Sequence, residues 1–135
     1  MVAFLASGND LCFELRREVD PMTRSTEQVY QDHLRALHDG DLLALMADYA
    51  DDAILMTMVG ASPGKAAIQA WFVEMLTSMP NVNIVPGEYT VHGEIVMATW
   101  SAVSDVATVP QGVDTFVIHD DRIWLQTIWY TIVPK

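Results

Sequence analysis

The sequence has few of the residues that mark several common protein classes. Cys12 is the only cysteine, so neither a disulfide framework nor a cluster of metal-bound cysteines can form within one chain. No apolar run approaches the roughly 20 residues that cross a bilayer. The apolar start of the chain also lacks the basic residues of a secretory signal peptide. These absences predict a cytoplasmic protein with no membrane partner.

Basic residues are scarce as well. Eighteen acidic side chains against seven Lys and Arg give a formal net charge of -11, and no basic stripe offsets this charge locally. Because such a chain repels phosphate backbones, we expect no nucleic-acid partner. No two histidines have the spacing of a metal site such as H-E-x-x-H, and the segment from Gly60 to Gly64 is better explained as a turn before a helix than as a phosphate loop. We therefore expect no metal and no cofactor.

The length of 135 residues fits one domain with a substantial core. Residues 1–21 differ from the rest, because Asn9 or Asp10 can cap a short helix that stops before Pro21. We interpret residues 1–21 as an N-terminal extension and residues 22–135 as a single domain.

Helices are predicted first along this domain. Ser25 with Gln28 forms a capping box, and the apolar spacing that follows continues to Gly40, a typical C-terminal stop. Asp41 caps a second, shorter helix. A buried strand over residues 53–58 and a turn-rich segment then precede a third helix with one apolar side.

After Pro80 the pattern changes to strands. Four are predicted, over residues 82–92, 94–103, 113–120 and 122–133, with a loose loop around residues 110–112. Pro86-Gly87 predicts a bulge, because proline donates no ladder hydrogen bond. Both faces of the last strand are largely apolar, which favours a homodimer. The sequence thus predicts an α+β fold of three helices followed by a strongly curved, mainly antiparallel sheet over an apolar pocket.

Asp114 is the first candidate for chemistry. Strand alternation places it on one face with Phe116 and Ile118. A carboxylate on a buried apolar face raises its pKa or finds a donor, which is how enzymes make an acid that works near neutral pH. The alternative is that Asp114 is solvated at the edge of the strand or caps the turn after Gly112.

His33 is the second candidate. It lies in the apolar stripe of the first helix, one turn from Val29 and Leu37, and therefore faces the interior. An inward histidine needs a hydrogen-bond partner. It is either a satisfied core residue or a partner of the inward acid.

The order of these segments resembles the SnoaL-like polyketide cyclase and ketosteroid isomerase superfamily, which has the nuclear transport factor two-like fold. The resemblance rests on GDLLALMADYADDAILMT, then G-x-x-x-G-K-A-A-I-Q-A-W-F, then VDTFVIHDDRI, and runs from about residue 25 to the C-terminus. It implies a cone, in which a curved sheet wraps around a long helix and a deep apolar pocket opens at one end. It also implies a homodimer.

The resemblance also implies roles for single residues. The position of Asp114 carries, in ketosteroid isomerases, a protonated acid that hydrogen-bonds the developing enolate. His33 stands where those enzymes have a second donor, a tyrosine. Thr57 stands at their general base and cannot abstract a carbon-bound proton, which argues against steroid isomerisation. Gly112 replaces the arginine of the family's epoxide hydrolases, which argues against epoxide hydrolysis.

The leading hypothesis is a small enzyme that binds an apolar, carbonyl-bearing molecule and performs cofactor-independent acid-base chemistry, with Asp114 and His33 as catalytic residues. The alternative is a non-catalytic ligand-binding or dimerisation module of the same fold. The predicted substrate-binding residues are Tyr49, Met56, Thr57, Trp71, Phe72, Trp100, Phe116 and Tyr130.

Overall fold

A computed structural model describes residues 23–135 of the chain, so the predicted N-terminal extension lies outside the described residues. The helices are α1 (Thr26–Asp39), α2 (Leu42–Ala47) and α3 (Lys65–Ser78). The strands are β1 (Tyr49–Thr57), β2 (Gly60–Pro63), β3 (Asn83–His92), β4 (Ile95–Val103), β5 (Ala107–His119), β6 (Arg122–Tyr130) and β7 (Val133–Pro134). In this part of the chain, every helix is too short or too polar to cross a membrane.

The helix ends follow the local sequence signals. The Ser25 hydroxyl accepts a hydrogen bond from the Gln28 backbone at 3.1 Å, and the Gln28 side chain accepts one from the Ser25 backbone at 3.3 Å. Gly40 ends α1 with a left-handed φ of 66°, which glycine adopts without strain. Asp41 accepts a hydrogen bond from the Ala44 backbone at 3.0 Å and so caps α2. The predicted caps are confirmed.

The seven strands form one sheet in the order β2-β1-β6-β5-β4-β3, with β7 paired to β5. Every pairing is antiparallel except that of β1 with β6. The helix α1 packs against β3, β4 and β5, and α3 packs against β1 and β2. This is an α+β architecture of three helices on a mostly antiparallel sheet, consistent with the cone-shaped fold.

Bulges bend the sheet at several points. The pairing of β3 with β4 shifts register between Pro86 and Tyr89, as the Pro86-Gly87 pair predicts. The pairing of β5 with β6 shifts at Trp124, so that Ile118 pairs with Ile123 and Val117 with Leu125. Bulges of this kind increase strand twist and curve the sheet around the helices on its inner face.

Three predictions about the strands are wrong. The expected loose loop at residues 110–112 belongs to β5, because Ala107–His119 pairs with β4 along most of its length and Pro110 falls where that register shifts. The strand expected to begin at Ala53 begins at Tyr49. It includes Asp51 and Asp52, whose side chains are exposed. The turn expected at residues 60–64 pairs with β1 as the strand β2.

Candidate functional site

A pocket lies between α1, α3 and the inner face of the sheet. Its walls are largely apolar, and its volume is about 50 Å³. Four of its polar side chains are Tyr30, His33, Asp114 and Gln126. This volume has room for a few water molecules, whereas pockets for drug-sized ligands measure roughly 300–1,000 Å³.

Asp114 lies in the middle of the sheet. It pairs with Ala98 of β4 on one side and with Ile128 of β6 on the other. Its neighbours on the inner face, Gly112 and Phe116, are buried, and Asp114 itself is only 8% exposed. Strand alternation therefore places the carboxyl group inward, and the alternative of a solvated residue at the strand edge is wrong.

Two neutral N–H groups bind the Asp114 carboxylate. The indole Nε1 of Trp100 donates to Oδ1 at 2.9 Å, and Nε2 of Gln126 donates to Oδ2 at 3.0 Å. Burial raises the pKa of Asp114 to about 6, and the two hydrogen bonds offset part of that rise. Asp114 is therefore mainly ionised at pH 7 and takes up a proton as the pH falls through about 6.

His33 is buried among aromatic rings and is 1% exposed. Its ring packs edge to face against Tyr49, Phe72 and Phe116, with centroids 6.1, 6.4 and 5.1 Å away. Burial lowers the pKa of His33 to about 4, so its imidazole is neutral at physiological pH.

No hydrogen bond joins His33 to Asp114, so the prediction of His33 as a partner of the inward acid is wrong, whereas its alternative role as a second donor stays a prediction. Trp100 and Gln126 take the two carboxylate oxygens. Within residues 23–135, Nδ1 of His33 has no hydrogen-bond partner. A buried nitrogen without a partner is unfavourable and requires an explanation.

Tyr30 is a polar pocket residue that the sequence analysis did not select. It lies one turn before His33 on α1, is 2% exposed, and packs against Phe116 with ring centroids 5.5 Å apart. Burial raises the pKa of Tyr30 to about 12, and the nearby charge of Asp114 adds to the rise. Its hydroxyl therefore remains a donor at neutral pH. Its place in the same apolar stripe as His33 was the available signal.

Five of the eight predicted substrate-binding residues line the pocket: Trp71, Phe72, Trp100, Phe116 and Tyr130. The other three lie elsewhere, which corrects their predicted placement. Tyr49 is 1% exposed and lies behind Gln126, to which it is hydrogen-bonded. Met56 is 45% exposed, because alternation along β1 turns its neighbour Leu55 inward instead. Thr57 ends β1, where its hydroxyl accepts a hydrogen bond from the Val59 backbone.

Gln126 was also missed. Regular alternation along β6 would put Ile123 and Gln126 on opposite faces, but the bulge at Trp124 brings both inward. Its amide lies among apolar side chains, and it is 1% exposed. A single amide on an otherwise apolar strand face was a signal that the sequence carried.

Gly112 determines where Trp100 lies. A Cβ atom at Gly112 would stand 2.1 Å from the Trp100 ring, which no packing tolerates. The missing side chain leaves room for the indole against β5, two residues from Asp114. The glycine that replaces the arginine of epoxide hydrolases is therefore part of the packing that brings a donor to Asp114.

Comparison with protein families shows that the chain belongs to the SnoaL-like family, since the model of the SnoaL-like domain matches residues 30–126. Among curated proteins no match was found. The matched region includes α1 from Tyr30 onward, the β5 strand with Asp114, and Gln126 of β6.

Solved structures share the fold at low identity. A proposed polyketide cyclase from Sinorhizobium meliloti superposes with a TM-score of 0.67 at 23% identity, covering 75% of this chain and 93% of that protein. A proposed ketosteroid isomerase from Kribbella flavida gives 0.70 at 14% identity, with 82% of each chain covered. An epoxide hydrolase from M. tuberculosis gives 0.64 at 15%, covering 78% and 82%. Three different reactions are named for one shape, so the likeness shows the fold and leaves the reaction open.

Proposed function

We propose that the pocket binds a small, apolar, carbonyl-bearing molecule and that Asp114 moves protons on it without a cofactor. The observation that carries this proposal is a buried carboxyl group in an apolar pocket with a pKa of about 6. A group that titrates near neutral pH can both take and return a proton, which is what general acid-base catalysis requires. Both N–H donors favour its ionised form, so the role of base comes first.

Two neutral side chains of α1 can assist this proton transfer by donating hydrogen bonds to the carbonyl oxygen. Tyr30 and His33 line the pocket, and neither side chain is charged at neutral pH. A proton removed next to a carbonyl leaves negative charge on the oxygen, and neutral donors in a dry site stabilise that charge. A carbonyl oxygen held there would also give the unpaired His33 nitrogen a partner.

We also propose that the protein is a cytoplasmic homodimer, in which two copies pair through the outer faces of their sheets. Side chains on this face form two uncharged rows across four strands. The rows are Ile54-Leu125-Val117-Ile95 and Met56-Thr127-Thr115-Met97. Ile95 and Met97 remain 48% and 57% exposed, and a second copy of the same surface would cover them.

A charge on this surface tests the dimer. Met97→Asp should shift the protein to a monomer in analytical ultracentrifugation, because dimerisation through these rows would bury an unpaired carboxylate on each copy. Leu43→Asp is the matched control, since Leu43 is an apolar residue that is 85% exposed on α2, away from the rows. A wild-type monomer, or equal effects of the two variants, would contradict the proposed interface.

A non-catalytic module of the same fold is the second candidate. The observation that favours it is the pocket volume of about 50 Å³, with the large rings of Trp71, Phe72 and Trp100 among the lining side chains. A module of this kind would use the apolar outer face of the sheet and leave the interior filled.

The experiment that separates the candidates is a titration with phenols, which present an enol-like hydroxyl on an apolar ring. Trp71 and Trp100 line the pocket and report binding by fluorescence. Because ionised Asp114 accepts the phenol hydrogen, affinity should rise about tenfold as the pH increases from 5 to 7, since the pKa of Asp114 is about 6. The rise should vanish in Asp114→Asn and persist in Asp52→Asn, whose position is exposed on β1.

Catalysis is tested on the same proteins by exchange of the α-protons of a small cyclic ketone in deuterated water. Faster exchange with the wild type and with Asp52→Asn than with Asp114→Asn supports a base in the pocket. Phenol binding without exchange would support a ligand-binding module. Neither binding nor exchange, with the fold intact, would overturn the proposed enzyme.

A further inference from the structure

We infer that Tyr49 is a positioning residue, which fixes the Gln126 amide with its NH2 group toward Asp114 and so holds Asp114 as a carboxylate in the pocket. This role of Tyr49 rests on the proposed function, in which Asp114 acts as the base of the pocket. Tyr49 thereby has a role other than the substrate contact that the sequence predicts for it.

The geometry is a buried chain of three side chains from three neighbouring strands. The Tyr49 hydroxyl at the start of β1 donates to Oε1 of Gln126 on β6. Nε2 of Gln126 in turn donates to Oδ2 of Asp114 on β5 at 3.0 Å. Tyr49 and Gln126 are each 1% exposed, so water does not compete for these groups.

An amide has two different ends, and only one of them suits a carboxylate. If Gln126 turned over, its carbonyl oxygen would face the negative oxygen of Asp114, and its NH2 group would face the Tyr49 hydroxyl. The present orientation is favoured because a tyrosine hydroxyl with its proton donates to the carbonyl end. Burial raises the pKa of Tyr49 well above its ordinary value, so that proton stays on at every pH at which Asp114 titrates.

No cation supports Asp114 within residues 23–135. The polar groups packed around it come from four elements: Tyr30 and His33 of α1, Tyr49 of β1, Trp100 of β4 and Gln126 of β6. All five are neutral near pH 6, since the pKa of His33 is about 4. The charge of Asp114 therefore depends on the direction of neutral donors, and Tyr49 controls one of the two.

The fold brings Tyr49 to this place by the one parallel pairing in the sheet. Tyr49 pairs with Ile123 of β6, and the register then shifts before Ile54. At this irregular start of β1 the Tyr49 ring lies in the core, with its centroid 6.1 Å from that of His33 and 6.3 Å from that of Phe72, and its hydroxyl reaches Gln126. Strand alternation alone does not reveal a register shift of this kind.

Tyr49→Phe tests the inference, with the pKa of Asp114 followed by 13C NMR of its carboxyl carbon. Loss of the hydroxyl frees the Gln126 amide to turn, and the Asp114 pKa should rise by about one unit, a tenfold change. Tyr89→Phe is the matched control, because the Tyr89 hydroxyl bonds Gln31 and Glu27 at the surface. An unchanged Asp114 pKa in Tyr49→Phe would overturn the inference.

A double-mutant cycle shows whether Tyr49 acts through Gln126. Gln126→Leu should raise the Asp114 pKa by itself, and adding Tyr49→Phe should then change it no further. Equal shifts from Tyr49→Phe in both backgrounds would mean that the tyrosine acts directly on Asp114, which contradicts a positioning role. The cycle measures only the pKa of Asp114. A failure of phenol binding or of ketone exchange would therefore contradict the proposed function without changing the result for Tyr49.

The native protein provides a test that does not depend on the folding of variants. The side-chain NH2 resonances of Gln126 should shift with the same midpoint as the Asp114 carboxyl carbon, because that NH2 group donates to the titrating oxygen. Gln126 resonances that ignore the Asp114 titration would overturn the inference.

Discussion

Two buried aspartates in this molecule have the same side chain and nearly the same burial, yet their surroundings differ in charge. Asp48, between α2 and β1, is 5% exposed, and Asp114, in the middle of β5, is 8% exposed. Arg24 binds Asp48 with its NH1 group at 2.7 Å from Oδ1. Asp114 has only the neutral N–H groups of Trp100 and Gln126. Burial raises the pKa of both carboxyl groups, but at Asp48 the hydrogen bond and the charge of Arg24 offset part of that rise, whereas Asp114 has no cation among the described residues. The charge of the partner therefore distinguishes a carboxylate of the scaffold from a candidate for chemistry.

Arg24 links several parts of the fold through carboxylates, and Asp114 has no comparable cationic partner among the described residues. Besides Asp48 it contacts Asp32 of α1 at 2.9 Å and Asp121 of the β5–β6 turn at 2.7 Å. Burial alone would lower the pKa of Arg24, but the hydrogen bonds to the three carboxylates raise it above its ordinary value. Asp121 adopts a left-handed φ of 68°, which these contacts help to hold. One cation thus joins three parts of the fold.

Removal of the cation should have the largest effect. Arg24→Met leaves Asp48 buried and unpaired, so the free energy of unfolding should fall by about 3 kcal/mol or more in chemical denaturation. Arg35→Met is the control, because the Arg35 side chain is 66% exposed and bonds only Asp32 among the described residues, and it should cost about 0.5 kcal/mol or less. Equal losses in the two variants would remove the distinction between the two aspartates.

The pH dependence of stability should show the cost of leaving Asp114 without a cation. Its pKa is raised from 3.8 to about 6 on folding, so the folded protein holds this proton more tightly than the unfolded chain. The contribution is favourable below pH 4 and is lost as the pH rises through 6, by about 3 kcal/mol. Asp32, whose pKa is lowered mainly by its hydrogen bond with Arg24, changes in the opposite direction.

Asp114→Asn isolates this contribution. The stability of the wild type minus that of the variant should decrease by about 2 kcal/mol between pH 4 and pH 7, since the variant shares every other titrating group. Denaturation curves at both pH values give the difference. A difference that stays constant with pH would show that Asp114 ionises with its ordinary pKa.

Loss of one neutral donor should have a smaller effect. Trp100→Phe removes the hydrogen bond to Oδ1, and the Asp114 pKa should rise by about one unit in an NMR titration. Trp129→Phe is the control, because Trp129 is 50% exposed and lies on the outer face of the sheet. If Trp100→Phe leaves the pKa where it was, the indole does not stabilise the carboxylate.

Local signals in the sequence predicted the three helices and the inward position of Asp114. The Ser25 capping box, the Gly40 stop and the alternation around Phe116 each depend on a few neighbouring residues. The family resemblance predicted the fold, and the SnoaL-like domain match confirms it.

The contacts that give the two aspartates their character depend on distant parts of the chain. Arg24 and Asp121 lie 97 residues apart, and Tyr49 and Gln126 lie 77 apart. The parallel pairing of β1 with β6 and the bulge at Trp124 create the second contact, and neither has a local signature that fixes it. For the same reason Thr57 was matched to a catalytic position in the sequence although it lies at a turn outside the pocket.

The most direct test of the account is an NMR titration of the Asp114 carboxyl carbon in the wild-type protein, with and without phenol. We predict a midpoint at a pH of about 6 in the free protein and a midpoint displaced to lower pH by bound phenol, because the phenol hydroxyl donates to the ionised carboxylate. A midpoint near the ordinary value of about 3.9 that phenol does not move would contradict the claim that Asp114 is the working group of the pocket.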